Sequence, residues 1–121
     1  MKEINIKSKL SKFTKNWHPH QIGIIDDMQV LLAKVKGEFV WHAHEHEDEL
    51  FQVIKGTLYI QFHDRTEVVN EGEIIIIPKG VEHNPMTKNG EEVHVLLFEK
   101  ITTAHTGNVK HEKTQTHYPK I

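Results

Sequence analysis

Short β-prone runs recur along this chain, and nothing between them is long and periodic enough to be a crossover helix. They read VLLAKV (30–35), EFVWH (38–42), LFQVI (50–54), TLYIQFH (57–63), TEVV (66–69), EIIII (73–77) and VHVLLFEKI (93–101). Gly37, Gly56, Asp64-Arg65, Asn70 to Gly72, Pro78 to Gly80 and Asn89-Gly90 punctuate them. Parallel strands need a connection of a dozen or more residues, usually helical, whereas antiparallel strands need only a turn. The spacing therefore predicts an all-β sandwich or barrel. Within 57–63, Leu58, Ile60 and Phe62 share one face and Tyr59, Gln61 and His63 the other, as a period of two dictates. Ile74 to Ile77 are apolar on both faces, which predicts a strand lying between two layers.

The flanks differ from this centre. Residues 1–27 read as an N-terminal arm, 28–101 as the barrel and 102–121 as a polar tail. In the Lys-rich start, Leu10 and Phe13 make one short helical face, with Ser8 as its N-cap. The strand-like Glu3-Ile4-Asn5-Ile6 suits an exposed sheet edge in a second copy, so a homodimer is expected. The tail, with Lys110, Glu112, Lys113 and Gln115, either wraps the barrel or stays mobile. A length of 121 residues fits one domain with its own core. There is no cysteine, which removes disulfides, thiolate catalysis and cysteine metal sites. A net charge of -2 suggests neither a nucleic acid nor an anionic membrane as partner. No apolar run approaches the roughly 20 residues of a membrane-spanning helix, and no secretory leader is visible. A cytoplasmic protein is the default expectation.

The chemistry concentrates in WHAHEHEDELF (41–51), where three histidines and four acids sit among apolar neighbours. His42 and His44 are two apart, so an extended backbone points both imidazoles to one face. A turn through Glu45 to Asp48 brings Glu49 back onto that face. Such a group is expensive to desolvate. It is either a structural polar cluster or a cation site, and neutral imidazoles with a carboxylate are good ligands for a divalent metal. A fourth ligand is expected from GEIIIIPKGVEHNP (72–85), where His83 follows the Pro78-Lys79-Gly80 turn.

These two segments resemble the two motifs of the cupin superfamily. The first runs Gly37, four residues, His42-x-His44, four residues, Glu49, six residues, Gly56. The second runs Gly72, five residues, Pro78-x-Gly80, two residues, His83. The second matches the family pattern in full, and the first departs by one residue between Gly37 and His42. The resemblance covers residues 28–101 and the short gap between motifs is that of small single-domain bacterial cupins. It implies a double-stranded β-helix, a jelly roll of two sheets, and assigns metal ligation to His42, His44, Glu49 and His83. Fe, Mn, Ni, Co and Zn all suit three imidazoles and one carboxylate. A narrower likeness, carried by KGEFVWHAHEHEDELF, HVLLFE and HTGNVKHEKT, is to uncharacterised small cupins, some loosely labelled mannose-6-phosphate isomerase-like. Their members usually have Asn where His105 stands.

The remaining polar residues divide by context. His46, two beyond His44, is expected at the loop surface, and Glu45, Glu47 and Asp48 as solvated acids, one of which could orient a ligand imidazole. Trp17-His18-Pro19-His20 repeats a His-x-His but lacks a following carboxylate, so packing at a barrel edge is expected. His94 reads as a hydrogen-bonded sheet histidine; it, Tyr59 and Glu82 are weak acid/base candidates. Phe51, Tyr59 and Gln61 are candidate cavity linings. His105, His111 and His117 are expected on the surface. Three functions fit: a metal-dependent oxygenase or isomerase acting on a small polar molecule, a non-catalytic metal- or ligand-binding module, or a sugar-phosphate isomerase. Arg65, the sole arginine, falls in a turn, which weakens the third, since phosphate recognition favours arginine.

Overall fold

Inward and outward residues alternate along each strand, and two sheets close on the inward set. The computed structural model describes all 121 residues. One helix, α1 (Ile6–Leu10), precedes β1 (His20–Ile25), β2 (Met28–Lys36), β3 (Glu49–Lys55), β4 (Leu58–Gln61), β5 (Thr66–Val69), β6 (Ile74–Ile77), β7 (Asn84–Met86) and β8 (Glu92–Lys100). Every strand pair is antiparallel. A five-stranded sheet in the order β1-β2-β8-β3-β6 faces a three-stranded sheet, β5-β4-β7. This is the all-β jelly roll expected from the sequence. No helix is long and apolar enough to cross a membrane.

The core lies between the sheets. Leu31, Ala33 and Val35 of β2, Phe51 and Val53 of β3, and Val93, Val95 and Leu97 of β8 meet Leu58, Ile60 and Val69 of the smaller sheet. Full burial of each such side chain contributes about 1.5–3 kcal/mol. The outer face of the large sheet is covered too. Leu10 and Phe13 pack on Leu32, with Ile54 and Leu96 alongside, and Lys34 Nζ donates to the Phe13 carbonyl (2.7 Å). The N-terminal apolar pair thus buries the back of β2.

Several expectations are corrected. The helix cap is Asn5, whose side chain accepts from Ser8 N–H at 2.8 Å; Ser8 is not the cap. The run 3–6 is not a strand, because α1 starts within it at Ile6. Ile74 and Ile76 are 54% and 58% exposed, so 74–77 does not lie between two layers. It is the edge of the large sheet, and α1 covers only the other end. EFVWH (38–42) is reduced to two isolated bridges, Glu38 with Met86 and His42 with His83. Phe39 N–H donates to the Pro85 carbonyl, but Pro85 has no N–H to return, so no ladder can form. One strand, β1, lies outside the expected runs, and the strand expected to begin at His83 is the short β7. Gly23 sits beside a register shift in β1, and Pro85 disguises β7.

The tail wraps the barrel. Thr103 and Thr106 are buried, and Asn108 N–H donates to the Ala43 carbonyl at 3.3 Å. The last residues run beside β1, where Gln21 N–H donates to the Pro119 carbonyl (2.8 Å) and Ile121 N–H to the Gln21 carbonyl (3.1 Å). The β1 edge is therefore covered by the chain's own end, and β6 is the open edge of the large sheet.

Candidate metal centre

Backbone hydrogen bonds bring the two histidine segments together. His42 N–H donates to the His83 carbonyl (3.0 Å) and His83 N–H to the His42 carbonyl (2.9 Å). Gly80 N–H donates to the His44 carbonyl at 2.8 Å, and Lys79 N–H to Asp48 Oδ1 at 2.9 Å. Glu49 opens β3, paired with Ile77 on one side and Glu99 on the other. Main-chain bonds, helped by the Asp48 side chain, fix where the four groups meet.

His42, His44, Glu49 and His83 are all buried, and their donor atoms lie within 4.8 Å of one another. Nδ1–H of His42 donates to the Val40 carbonyl and Nδ1–H of His83 to the Val81 carbonyl, each at 2.9 Å. A carbonyl only accepts, so both rings keep their lone pair on Nε2. Glu49 Oε1 lies 3.5 Å from His44 Nε2 and 3.7 Å from His83 Nε2. None of these three atoms has a hydrogen-bond partner. Orphaned buried polar groups cost about 1–3 kcal/mol each. Two ligand atoms about 2.1 Å from a tetrahedral cation stand about 3.4 Å apart. The spacing is too long for hydrogen bonds and matches co-ligands of one ion. The donor set fits a divalent metal.

Electrostatics favour a neutral His42 and an ionised Glu49. Burial, then the neighbouring His83, lowers the His42 pKa to about 4. Burial alone would raise the Glu49 carboxyl, but His44 and His83 outweigh it and hold it below the usual carboxylate range. Glu99 behaves oppositely: burial first, then the Glu49 charge, pushes it well above that range. Of two adjacent buried carboxyls, Glu49 is the ion and Glu99 the acid. Gln29 Nε2 donates to Glu99 Oε2 at 3.3 Å. The sequence reading missed Glu99, yet a signal was present. It continues the inward alternation Val93, Val95, Leu97, as Gln29 continues Leu31, Ala33, Val35.

Beside the cluster is a cavity of about 40 Å³. Its walls are Trp17, Pro19, Ala33, Val35, Phe39, Phe51, Pro85, Val95, Leu97 and His105, with His42 and Glu49 from the cluster. Phe51 lines it as expected, whereas Tyr59 and Gln61 do not. Trp17 stacks on Phe39, with centroids 4.5 Å apart, and its Nε1–H donates to the Lys36 carbonyl at 2.9 Å. The WHPH segment thus packs at the barrel rim: His20 is buried and stacks on Phe13 at 4.1 Å.

The structure separates the other polar residues. The His46 side chain is 83% exposed, away from the cluster. The loop acids turn elsewhere than the cluster: Asp48 holds the Lys79 amide, Glu47 accepts from Thr102 Oγ1 at 2.9 Å, and Glu45 lies 3.7 Å from exposed His46. His94 bonds Glu92 at 3.0 Å on its own strand. Glu82 pairs with exposed His63, and the Lys88 ammonium lies over the Tyr59 ring. None of these three acid/base candidates borders the cavity. His111 and His117 are exposed as expected. His105 is not a surface residue. It is half-buried and lines the cavity, because Gly107 lets the tail approach His42 and Ala43 closely.

A small antiparallel jelly roll with three histidines and a glutamate gathered at one end defines the class. The chain belongs to the cupin family, whose cupin domain model matches residues 28–99. A cupin-2 domain containing protein from Shewanella frigidimarina NCIMB 400 is 45% identical, with a TM-score of 0.78 over 80% of this chain and 93% of that one. Protein NMB1881 from Neisseria meningitidis is 29% identical, with a TM-score of 0.74 over 82% of this chain and 99% of that one. Uncharacterized protein YdbB of Bacillus subtilis (strain 168) is 43% identical over 63 residues, 51% of this chain. The chain spans 56% of the length of that curated relative.

Proposed function

We propose that this cupin holds one divalent metal through Nε2 of His42, His44 and His83 and Oε1 of Glu49, and acts as a metal-dependent enzyme on a small polar molecule. Fe, Mn, Ni, Co and Zn suit the donor set. The ion, when bound, supplies Lewis acidity and, for a redox-active metal, one-electron chemistry. The observation that carries this reading is a trio of unpartnered donor atoms, Glu49 Oε1 lying 3.5 Å from His44 Nε2 and 3.7 Å from His83 Nε2. The chain's own part is to fix the imidazoles through Val40 and Val81, to hold Glu49 through Glu99, and to keep water out with apolar walls. A sugar phosphate fits poorly. A water needs about 10–15 Å³, so the cavity takes about three such atoms, and no Lys or Arg lines it. A non-catalytic binding module is the second reading, favoured by a cavity whose only titratable group outside the cluster is His105.

The test is metal analysis of protein prepared without chelator or nickel resin, followed by melting with and without EDTA. A metal at 100 times its dissociation constant adds about 2.7 kcal/mol, or about 10 °C in a domain of this size. EDTA should remove that gain in the wild type and change nothing in Glu49→Ala. A wild-type melting curve indifferent to EDTA would refute the metal reading. An enzyme should lose turnover in a folded His83→Ala variant, whereas a binding module retains its ligand without turnover.

A chain without cysteine suits a reducing cytoplasm, which we take as its location. We also propose a homodimer through the β6 edge, where exposed Ile74 and Ile76 flank a groove that includes Val68. An open, apolar edge strand is a template for pairing with a second copy. Light scattering should give twice the chain mass, falling to one in Ile76→Lys; a wild-type monomer would refute it.

A further inference from the structure

One cavity residue has no role in the metal reading above. Apart from His42 and Glu49, the walls are apolar, and the Trp17 N–H is already bound to Lys36. His105 is the exception. It is also the one residue that borders both this cavity and an outer cleft of about 630 Å³ under the tail. Its ring is the partition between them.

Its proton is placed by the backbone. Gln115 N–H donates to His105 Nδ1 at 2.8 Å. An amide N–H cannot accept, so Nδ1 carries the lone pair and Nε2 the hydrogen. Burial lowers the ring's pKa to about 4, so it is neutral at pH 7. Nδ1 accepts that hydrogen bond, which leaves Nε2–H as the ring's donor. Gln115 borders the cleft and not the cavity, so the bonded edge of the ring belongs to the tail and the Nε2 edge is left to the cavity.

Charge narrows what Nε2–H could meet. Three neutral imidazoles and one carboxylate around a divalent cation would carry one net positive charge, facing a pocket with apolar walls. Uncompensated buried charge is costly, and a monoanion removes it. The volume admits about three water-sized atoms. The geometry points to an anion subsite: His105 Nε2–H donates to the outer atom of a small monoanion, of carboxylate or comparable class, whose inner atom meets the metal. This rests on the metal reading and adds the ligand class and its second contact.

The probe is azide, a linear triatomic monoanion, titrated into the Co(II)-loaded protein and followed by its visible spectrum. His105→Phe keeps the ring and removes the donor; His105→Leu is a second variant should Phe not fold. Azide affinity should fall about tenfold to a hundredfold, the effect of losing one hydrogen bond to a charged group. Co(II) affinity should stay within about twofold. Unchanged azide affinity with normal Co(II) uptake would overturn this proposal alone, whereas no Co(II) uptake by the wild type would overturn the metal site as well. Long-range ¹H–¹⁵N spectra of the Zn(II) protein read the tautomer without any variant. They should show His105 protonated at Nε2, with that signal moving on azide addition; the Nδ1–H tautomer would refute the assignment.

Discussion

Replacing Gly107 by alanine tests whether the tail is bound to the metal loop or merely lies near it. Gly107 has φ +57°, and a Cβ built there would stand 2.1 Å from the Ala43 carbonyl oxygen and 2.8 Å from its carbon. Both are backbone atoms, so no rotamer change relieves the overlap. Normal contact is above 3 Å, so the tail must retreat by about 1 Å. Asn108 N–H, 3.3 Å from the same oxygen, then loses its acceptor at a cost of about 1 kcal/mol. A left-handed conformation costs a further 1–2 kcal/mol or so for a residue with a Cβ, and stiffening of the unfolded chain returns about 0.4–1 kcal/mol. The expected net loss is about 2 kcal/mol. Urea unfolding of the metal-free protein should show a lower midpoint at unchanged slope. Amide exchange at Asn108 should accelerate more than at the β2–β8 ladder, because opening is local. The midpoint staying put, with Asn108 protection intact, would refute the close contact between tail and loop.

Two further outcomes follow from the buried acids and bases. His42 and His105 stay neutral in the fold down to about pH 4 but titrate at their ordinary 6.5 when unfolded. Each therefore makes stability rise with pH by about 1.4 kcal/mol per unit across that interval. Glu99, whose folded carboxyl burial pushes well above its ordinary 4.5, opposes them as pH rises through that value. Metal-free protein should gain stability as pH rises from about 4 to 6.5, with Glu99 blunting the gain above 4.5; a flat profile in denaturant titrations would contradict these assignments. Glu99→Gln keeps a donor for Glu49 and should hold metal within about threefold in a chelator competition. Glu99→Ala should weaken it about 10- to 100-fold, the usual penalty for removing a ligand's support; equal loss in both variants would show that the donated hydrogen bond is immaterial.

What the sequence made legible was whatever depends on spacing alone. The four cluster residues were found because His-x-His on extended backbone needs no tertiary knowledge, and most strands because period-two alternation is local. The rest depended on partners. Asn5 caps the helix only because the chain turns one residue before Ile6. EFVWH has the composition of a strand, but its neighbour contains Pro85 and cannot return a hydrogen bond. Ile74 and Ile76 read as sandwiched, since apolarity does not reveal whether a second layer is present. His105 looked like surface in a polar tail because Gly107, two residues on, determines its burial through a contact with Ala43, which lies 64 positions earlier in number. Glu99 was visible in principle, as an acid in phase with three apolar residues.

The order of synthesis gives the tail's contact with Ala43 a temporal meaning. Positions 42 to 83 emerge from the ribosome before 103 to 121, and chains fold from the leading end as they lengthen. Glu49 pairs through β8, so the donor atoms can be gathered only once residues 92–100 are also free to fold. The tail, from 103 on, is the last part of the chain that can reach Ala43, so its docking would come after the four ligand residues exist.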